Sequence, residues 1–349
     1  MTLTDRLRAE ITAGGPISVA DYMARCLHDP ADGYYATRPA LGEAGDFVTA
    51  PLVSQMFGEL IGLWLVETWR GAGRPPRAIL AEAGPGDATL MVDLLRAARL
   101  DPDFLAAAEL WLIETSPPLR ARQAARLGAA TPRWASALGE LPDDAPVLFV
   151  ANEVLDCLPA RQFQRVAGGW AERVVGVGPT GALAFGLRPA AGCLPEAPIG
   201  TVLERSPAQA AFAAELAARI ARQGGAALLI DYGAANGEPG DTLQALRRHQ
   251  KVDPLASPGA ADLTVHADFA TVLREAQNAG ASSGCMTQRA FLLRLGIEAR
   301  TAALARAHPD RAQILRRQLE RLIAPDQMGE LYKAAAIWVG GPPPAFGAG

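Results

Sequence analysis

The chain has 349 residues, of which 50% are hydrophobic and 20% charged, with a formal net charge of −4. This length and composition allow a large buried core, and the mild acidity argues against a nucleic-acid surface as the main partner. The four cysteines lie far apart without a C-x-x-C pair, and no metal-ligand spacing links the four histidines, so neither a disulfide framework nor a metal site is expected.

The first 75 residues are predicted to form a helical and loop region. Helical patterns cover Ile17–Leu27 and Leu52–Arg70, and the second is apolar on more than one face, which indicates burial. The intervening Pro30–Pro51 is rich in glycine, proline and aromatic residues. Loops of this kind are often functional, so residues 1–75 are predicted to form a lid on the substrate side.

Residues 76–340 alternate between short apolar runs and helical patterns, which predicts a doubly wound α/β domain. Residues 161–200 break the alternation and are predicted to form an antiparallel β-hairpin insertion, residues 289–325 a helical insertion, and residues 341–349 a flexible tail. The predicted strands are Ala78–Ala81, Leu110–Ile113, Val147–Val150, Ala226–Ile230, Ala281–Gln288 and Leu331–Val339, and the predicted core helices are Thr89–Leu100, Pro207–Arg222 and Arg289–Ile323.

The segment Arg77–Asp87 reads R-A-I-L-A-E-A-G-P-G-D, which is a strand, a turn with two glycines and the start of a helix. Such a turn forms the usual cofactor corner of a doubly wound domain. A phosphate-binding P-loop requires Lys-Ser/Thr, but Asp87-Ala88 follow the second glycine. A dinucleotide site requires a third glycine where Thr89 stands, and Asp87 would repel a pyrophosphate. Phosphoryl transfer and NAD-dependent oxidoreduction are therefore disfavoured.

Acids or amides follow four predicted strands, at Glu82, Glu114, Asn152-Glu153 and Asp231. Any one of them alone is explained as a helix cap or a solvated acid. Four at the carboxyl ends of strands favour a cationic ligand at that edge of the sheet. S-adenosylmethionine carries a sulfonium, an α-amino group and ribose hydroxyls, and it lacks a phosphate. It is therefore the expected cofactor, with Glu114 placed to accept hydrogen bonds from the ribose hydroxyls.

An ordered set of motifs extends this interpretation over nearly the whole chain. The motifs are Gly33-Tyr34-Tyr35, Gly45-Asp46-Phe47, Ser54-Gln55-x-Phe57-Gly58-Glu59-Leu60, Glu82-x-Gly84-Pro85-Gly86, Asn152-Glu153-x-x-Asp156-x-Leu158-Pro159, Gly224-Gly225-Ala226-Ala227, Asp231-Tyr232-Gly233, Ala261-Asp262-Leu263-Thr264 and Phe291-Leu292-x-x-Leu295-Gly296-Ile297. With these motifs the chain resembles the MidA-like family of class I S-adenosylmethionine-dependent methyltransferases, whose members include the mitochondrial complex I assembly factor. The resemblance implies a seven-stranded Rossmann-like sheet and, for the mitochondrial members, methylation of an arginine in a core subunit of respiratory complex I. For bacterial members the equivalent subunit and a different acceptor are both open.

Three groups of site residues are predicted from this reasoning. The expected cofactor-binding residues are Glu82, Gly84, Pro85, Gly86, Glu114 and Asn152. The expected catalytic residues are Glu153, Asp156 and Asn152, because carboxylates can hold a guanidinium and accept its proton. The expected substrate or lid residues are Tyr35, Asp46, Phe47, Gln55 and Asp231. Asp156 is explained equally well as a helix cap before Pro159. Ordinary loop packing is an alternative for Tyr35, Asp46 and Phe47, although residues of such a loop more often serve function.

The expected partner is a protein substrate, without nucleic acid or membrane insertion, and a homodimer is a further expectation. The N-terminus has no signal-peptide pattern, and the use of Ala, Arg, Gly and Pro suggests a bacterial cytoplasmic protein. The chain departs from the family at Ala83, at Ala88, where glycine is usual, and at Ala50 and Leu52, where a serine and an acid are usual. Extra volume at Ala88 is expected to crowd the turn. These departures keep open a second function, a weakly catalytic or non-catalytic assembly protein with the same fold.

Overall fold

The protein's structure is a computed structural model that describes residues 1–37, 49–192 and 194–347. These residues form two compact units. The first comprises the described parts of Met1–Phe47, Leu155–Ala210 and Asn236–Asp268, and the second those of Val48–Val154, Ala211–Ala235 and Phe269–Gly349. This grouping differs from the predicted division at residue 75, since residues 49–75 belong with the central sheet; the domain boundaries stay a prediction.

The described residues contain thirteen α-helices. They are α1 Leu3–Gly14, α2 Val19–His28, α3 Tyr34–Thr37, α4 Ala50–Val53, α5 Gln55–Gly71, α6 Thr89–Ala98, α7 Pro102–Ala107, α8 Pro117–Leu127, α9 Pro207–Gln223, α10 Phe269–Asn278, α11 Gln288–Arg294, α12 Ile297–Ala307 and α13 Ala312–Ile323.

Sixteen strands occur in the same described residues. They are β1 Ile17–Ser18, β2 Ala78–Ala83, β3 Ala108–Ile113, β4 Arg133–Ala135, β5 Val147–Asn152, β6 Arg161–Val166, β7 Gly169–Val177, β8 Leu183–Pro189, β9 Val202–Arg205, β10 Gly225–Ala234, β11 Gln244–Arg247, β12 Gln250–Val252, β13 Asp262–Thr264, β14 Ala267–Asp268, β15 Ser282–Thr287 and β16 Tyr332–Trp338. All six predicted strands are present, within a few residues of their predicted bounds.

Three predicted helices begin or break at residues that cap a helix. The helix predicted from Ile17 begins at α2, where Ser18 and Asp21 form a reciprocal capping box. The helix predicted over Leu52–Arg70 is divided into α4 and α5 by the extended backbone of Ser54, whose hydroxyl caps α5. The helical stretch over 289–323 is three helices, because Gly296 is left-handed and Pro309 follows α12.

The central sheet of the second unit has the strand order β15-β16-β10-β5-β2-β3-β4. The strands β10, β5, β2, β3 and β4 are parallel. The strand β16 runs antiparallel between β10 and β15, so the sheet is mixed rather than wholly parallel. Every residue of β2 is buried, as expected for a central strand covered by helices on both faces.

Two glycines of α5 let this helix approach α6 closely. A Cβ at Gly62 would lie 2.5 Å from the carbonyl oxygen of Leu94, and a Cβ at Gly58 would lie 2.7 Å from the Cβ of Asp93. Any larger residue would push the helices apart. Because α6 directly follows the glycine turn, this packing helps to fix the turn against the sheet.

The first unit is built around antiparallel strands. Its larger sheet has the order β1-β7-β6-β9, and β8 pairs with β7. The strands β6, β7 and β8 lie in the segment 161–200, where a β-hairpin insertion is predicted. The strand β11 pairs with both β12 and β13 in a smaller sheet that the sequence patterns did not predict. Helices α1 and α2 bury Leu7, Tyr22 and Met23 in this unit's core.

Within the described residues, no helix has the length and apolar character needed to cross a bilayer.

Gly225 holds β10 against β5 at a distance that only glycine permits. Its φ is +94°, and a Cβ would lie 2.0 Å from the carbonyl oxygen of Val147, whereas the neighbouring Gly224 has φ +84° and open space around it.

We expect Gly224→Ala to lower the free energy of unfolding by about 1–2 kcal/mol, the cost of a left-handed alanine. Gly225→Ala carries that cost and the backbone collision, so we expect a loss of at least about 3 kcal/mol. Urea unfolding of the two variants measures the difference, and equal losses would contradict it.

Candidate active site

The predicted site residues of the second unit lie at the carboxyl ends of adjacent parallel strands. Glu82 of β2 is in register with Leu112 of β3 and Val150 of β5. Asn152 of β5 is in register with Ile230 of β10. Glu114 and Asp231 follow Ile113 and Ile230 directly in the sequence. The register therefore brings the four strand ends to one edge of the sheet, where open α/β sheets bind their ligands.

Glu82 is buried without full compensation. Its side chain is 2% exposed, and its Oε2 atom has no hydrogen-bond partner within the described residues. Burial, reinforced by the negative charge of Asp87, raises the pKa of Glu82 to about 8. A buried acceptor without a donor is costly in a folded protein. The position therefore suits a ligand that brings a hydrogen-bond donor or a positive charge.

The turn after β2 is held in left-handed backbone conformations. Gly84 has φ +61°, Gly86 φ +54° and Ala88 φ +66°. A Cβ at Gly84 would lie 2.8 Å from Cγ2 of Val154, so the turn also approaches the segment after β5 closely. Ala88 is fully buried in the core. Alanine in place of the family's glycine therefore costs about 1–2 kcal/mol of backbone strain. This strain adds to the crowding that the sequence predicted.

Asp87 acts at the start of α6. Its Oδ1 accepts hydrogen bonds from the backbone N–H of Thr89 at 3.0 Å and from the Thr89 hydroxyl at 2.6 Å. Its other oxygen forms an ion pair with Arg126. The helix N-terminus is thus already occupied by a carboxylate, which agrees with the argument against a bound pyrophosphate.

Gln123 of α8 connects the glycine turn to Glu114. Its Nε2 donates to the carbonyl oxygen of Gly86 at 2.8 Å and to Oε2 of Glu114 at 3.3 Å, while its Oε1 accepts from Nε1 of Trp134 at 2.8 Å. Gln123 is fully buried, and burial also raises the pKa of Glu114. Sequence reasoning missed Gln123, because an amide in an exposed-looking helix pattern carries no signal of its own.

Asn152 and Glu153 form a second polar pair at the same edge. Asn152 Nδ2 donates to Glu153 Oε1 at 3.1 Å, and the backbone N–H of Ala50 donates to the same oxygen at 3.4 Å. Glu153 has φ +53°, a strained conformation for this residue type, and its N–H donates to the Ile230 carbonyl at 2.8 Å. The Oδ1 atom of Asn152 is buried and has no partner in the described chain.

Asp156 and Tyr35 belong to the first unit. Asp156 is buried, and its carbonyl oxygen accepts from the N–H of Val265 at 2.9 Å. The Tyr35 hydroxyl donates to Oδ1 of Asp262 at 3.2 Å. Burial, and then the nearby acids beginning with Asp262, raise the pKa of Tyr35 well above its usual range. The fold thus places Asp262 beside the predicted substrate residue Tyr35.

The remaining predicted residues are Gln55, Asp231, Asp46 and Phe47. Gln55 is exposed, and its Nε2 donates to Oε1 of Glu59 at 3.3 Å. Asp231 is 1% exposed, and its Oδ1 accepts from the N–H of Tyr232 at 2.8 Å. Asp46 and Phe47 lie outside the described residues. The assigned roles of all these residues stay predictions.

The chemistry of this edge fits S-adenosylmethionine. Two buried acceptor atoms, Oε2 of Glu82 and Oδ1 of Asn152, have no donor within the described residues. The methionine end of the cofactor offers an α-ammonium donor and a sulfonium charge. Glu114 is half-buried beside the glycine turn, and each carboxylate oxygen retains a lone pair beyond the bonds it accepts, which suits ribose hydroxyls.

Comparison with known proteins agrees with this chemistry. A family model of S-adenosyl-L-methionine-dependent methyltransferases matches residues 60–288. The mitochondrial protein arginine methyltransferase NDUFAF7 of Mus musculus is 36% identical, and the alignment covers 95% of this chain and 83% of that protein. The homolog from Drosophila melanogaster is 35% identical, over 97% of this chain and 85% of its own length.

A solved structure has the same fold and itself contains a bound product of the cofactor. The crystal structure of a protein from Burkholderia thailandensis with bound S-adenosyl-homocysteine has a TM-score of 0.87 and 32% identity, over 99% of this chain and 95% of that chain. The predicted α/β methyltransferase fold and the predicted family are confirmed. S-adenosylmethionine is the cofactor, as predicted.

Titration of Glu82 should link the stability and the cofactor affinity to pH. Its pKa is about 8 in the folded protein against an ordinary value of 4.5. The folded protein therefore keeps a proton that the unfolded chain releases, so its free energy of unfolding should fall as pH rises from about 4.5 to about 8 and then level off. Because cation binding needs the ionised carboxylate, S-adenosylmethionine affinity should rise over the upper part of this window with proton release.

The variant Glu82→Gln removes this titration. We expect it to lose the stability slope and the proton release, and to bind S-adenosylmethionine at least about tenfold more weakly, the scale of one charge-assisted hydrogen bond. Calorimetry between pH 6 and 9, in buffers of different ionisation enthalpy, measures the pH dependence of stability, the proton release and the cofactor affinity. The exposed Glu298→Gln on α12 is the control. Identical pH dependence in wild type and Glu82→Gln would contradict the assignment.

Gln123 should act as a positioning residue for the cofactor. In Gln123→Leu the Gly86 carbonyl and the Trp134 indole lose their partner, so we expect a stability loss of about 1–3 kcal/mol and at least about tenfold weaker cofactor binding. Gln123→Glu places a second carboxylate beside Glu114 and should weaken binding further. The same charge change in the exposed Gln277→Glu should leave the affinity unchanged. If Gln123→Leu loses stability but keeps its affinity, Gln123 serves packing alone.

Proposed function

We propose that this chain, which belongs to the family of S-adenosyl-L-methionine-dependent methyltransferases, methylates an arginine side chain of a partner protein. The names of the relatives, which are protein arginine methyltransferases, support this acceptor. The observation that carries the proposal is the Glu153 carboxylate, which Asn152 and Ala50 hold at the sheet edge that also carries Glu82.

The acceptor's chemistry explains the need for a fixed carboxylate. An arginine guanidinium has a pKa above about 12 and arrives protonated, so it is a poor nucleophile. A carboxylate can bind two of its N–H groups in one plane and can take up the proton as the new bond to carbon forms. In methyl transfer most of the catalytic effect comes from aligning nucleophile and methyl group. A carboxylate that is held in one direction, as that of Glu153 is, can align the guanidinium with the methyl group.

Different residues of the second unit are proposed to bind the cofactor and to bind the acceptor. When bound, S-adenosylmethionine supplies an electrophilic methyl group on its sulfonium. Glu82 and Asn152 offer their buried oxygens to the cofactor's ammonium group, and Glu114 its carboxylate to the ribose. Glu153 aims the guanidinium and accepts its proton. The left-handed backbone of Glu153 fits this role, because strained residues persist where the surrounding structure fixes a functional geometry.

Asp156 and Tyr35 of the first unit are proposed to serve the acceptor. Gln209 holds the segment that contains Asp156, since its Nε2 donates to the Leu155 carbonyl at 2.8 Å and its Oε1 accepts from the Asp268 N–H at 2.8 Å. Asp156 is proposed as a carboxylate that binds the acceptor, and Tyr35, which donates to Asp262, is proposed to contact it as well. Gln55, Asp46, Phe47 and Asp231 remain proposed for the substrate side.

A subunit of respiratory complex I is the first acceptor that we propose to test, since the resemblance to the complex I assembly factor suggests it. A bacterial cytoplasmic location and a homodimeric state are part of the same proposal. Both are accessible to direct measurement, by fractionation of the source cells and by light scattering of the purified protein.

The central test is Glu153→Gln, which keeps the shape and removes the charge. We expect S-adenosylmethionine affinity within about threefold of wild type and methyl transfer slower by at least about a hundredfold, the usual effect of losing an acid–base group. Asp156→Asn should behave in the same direction. Isotope-labelled S-adenosylmethionine with cell lysate, followed by mass spectrometry of the labelled residue, measures transfer and identifies methylarginine.

The exposed Glu298→Gln serves as the matched control and should keep full activity. If Glu153→Gln loses cofactor affinity and transfer equally, Glu153 belongs to the cofactor pocket instead. Label on lysine would refute the arginine acceptor. Cofactor binding without transfer to any protein would favour the assembly role over catalysis.

A further inference from the structure

A groove in the second unit lies outside the residues assigned so far. It has a volume of about 380 Å³ and is lined by Val53 of α4 together with Ile314, Arg317, Gln318 and Arg321 of α13. Ile314 is 55% exposed, whereas the aliphatic Leu322 and Ile323 of the same helix are buried. The groove therefore combines an apolar floor with basic side chains.

The basic side chains follow one face of α13. Ile314, Arg317 and Arg321 are spaced three and four residues apart, so they project from the same side of the helix. Both arginines are exposed, and Arg321 donates to the side-chain oxygen of Gln327. In the part of the chain that the structure describes, neither Arg317 nor Arg321 forms an ion pair. Their charges are therefore available to a partner.

The groove is connected to Glu153 through the single turn of α4. Ala50, the first residue of that turn, donates its N–H to Glu153, and Val53, the last, lines the groove. Three helical steps of 1.5 Å separate these two residues along the helix axis, a rise of about 5 Å. Next in the chain, the Ser54 hydroxyl donates to Gln318 Oε1 at 3.2 Å and ties α4 to α13.

We infer that this groove docks an acidic segment of the protein acceptor, with one aliphatic side chain against Val53 and Ile314 and acidic side chains beside Arg317 and Arg321. The inference rests on the proposed function, because the docked segment belongs to the same chain as the methylated arginine. Charge complementarity selects the acids, and the exposed isoleucine selects the aliphatic anchor. An extended chain spans about 3.3 Å per residue, so docking residues a few positions from that arginine can reach the groove.

The test uses the full-length protein and two synthetic peptides. The first is a fluorescent twelve-residue peptide with Glu-Ile-Glu three residues from a single arginine, and in the second both glutamates are glutamines. We expect wild type to bind the acidic peptide at least about tenfold more tightly than the neutral one, with an affinity that falls as salt increases. Replacing the peptide's isoleucine by alanine should also weaken binding.

The decisive variant is Arg317→Glu/Arg321→Glu, which should abolish the preference for the acidic peptide. Arg316→Glu is the matched control, since it makes the same charge change on the same helix outside the groove, and it should keep most of the preference. No preference in wild type, or an equal loss in Arg316→Glu, would overturn the inference. So would equal competition by a DNA oligomer, or a shift from dimer to monomer in the double variant, since these would assign the groove to nucleic acid or to a second copy.

Two further measurements separate this inference from the proposed function. Cofactor affinity should be the same in wild type and in the double variant, because no residue of the cofactor site changes. A peptide with lysine in place of arginine should still dock in the groove. Docking that depends on the glutamates while no arginine is methylated would leave the groove assignment standing and refute the arginine acceptor. Methylation of arginine at equal rates in the acidic and neutral peptides would refute the groove assignment alone.

Discussion

The parallel register of β2 with β3 and β5, and of β5 with β10, is the constraint on which the site depends. Parallel pairing places the carboxyl ends of these strands at one edge, although the residues there are far apart in the chain. The close contact of Gly225 with Val147 fixes one of these pairs, and the glycines of α5 fix the helix that follows β2. Each contact leaves no space for a Cβ. The site is therefore positioned by backbone packing before any polar group contributes.

A buried polar group and strained backbone at this edge reduce the stability of the cofactor-free protein. Glu82 is buried with an oxygen that lacks a donor, and Glu153 and Ala88 have left-handed backbones. A folded protein retains such features where other contacts offset their cost, and here the strand β2 beside them is buried along its whole length. Ligand binding can return part of this free energy, because a cation satisfies the acceptors. The pH response of Glu82 follows from the same burial.

Cofactor and acceptor make different demands on the second unit. The proposed cofactor contacts are the strand ends and Gln123, and of these residues Glu82 and Gln123 are buried. The acceptor must arrive from solvent, and its proposed contacts, Glu153 and the groove beside α4, depend on one short helix and on exposed side chains of α13. The family departures at Ala50 and Leu52 lie in this same helix. Selection among acceptors can therefore change there without disturbing the cofactor site.

The sequence alone determined the class of fold, the glycine turn and the cofactor. Hydrophobic periodicity and turn chemistry are local, and an acid after each strand is visible without knowing which strands are neighbours. The sequence did not determine the antiparallel insertion of β16, the bridging role of Gln123, the contact between Tyr35 and Asp262, or the strain at Ala88. These depend on which segments meet in space and on the backbone angles that their packing imposes. Only the tertiary structure decides such non-local contacts, because a residue's local pattern is the same whether or not a partner lies beside it.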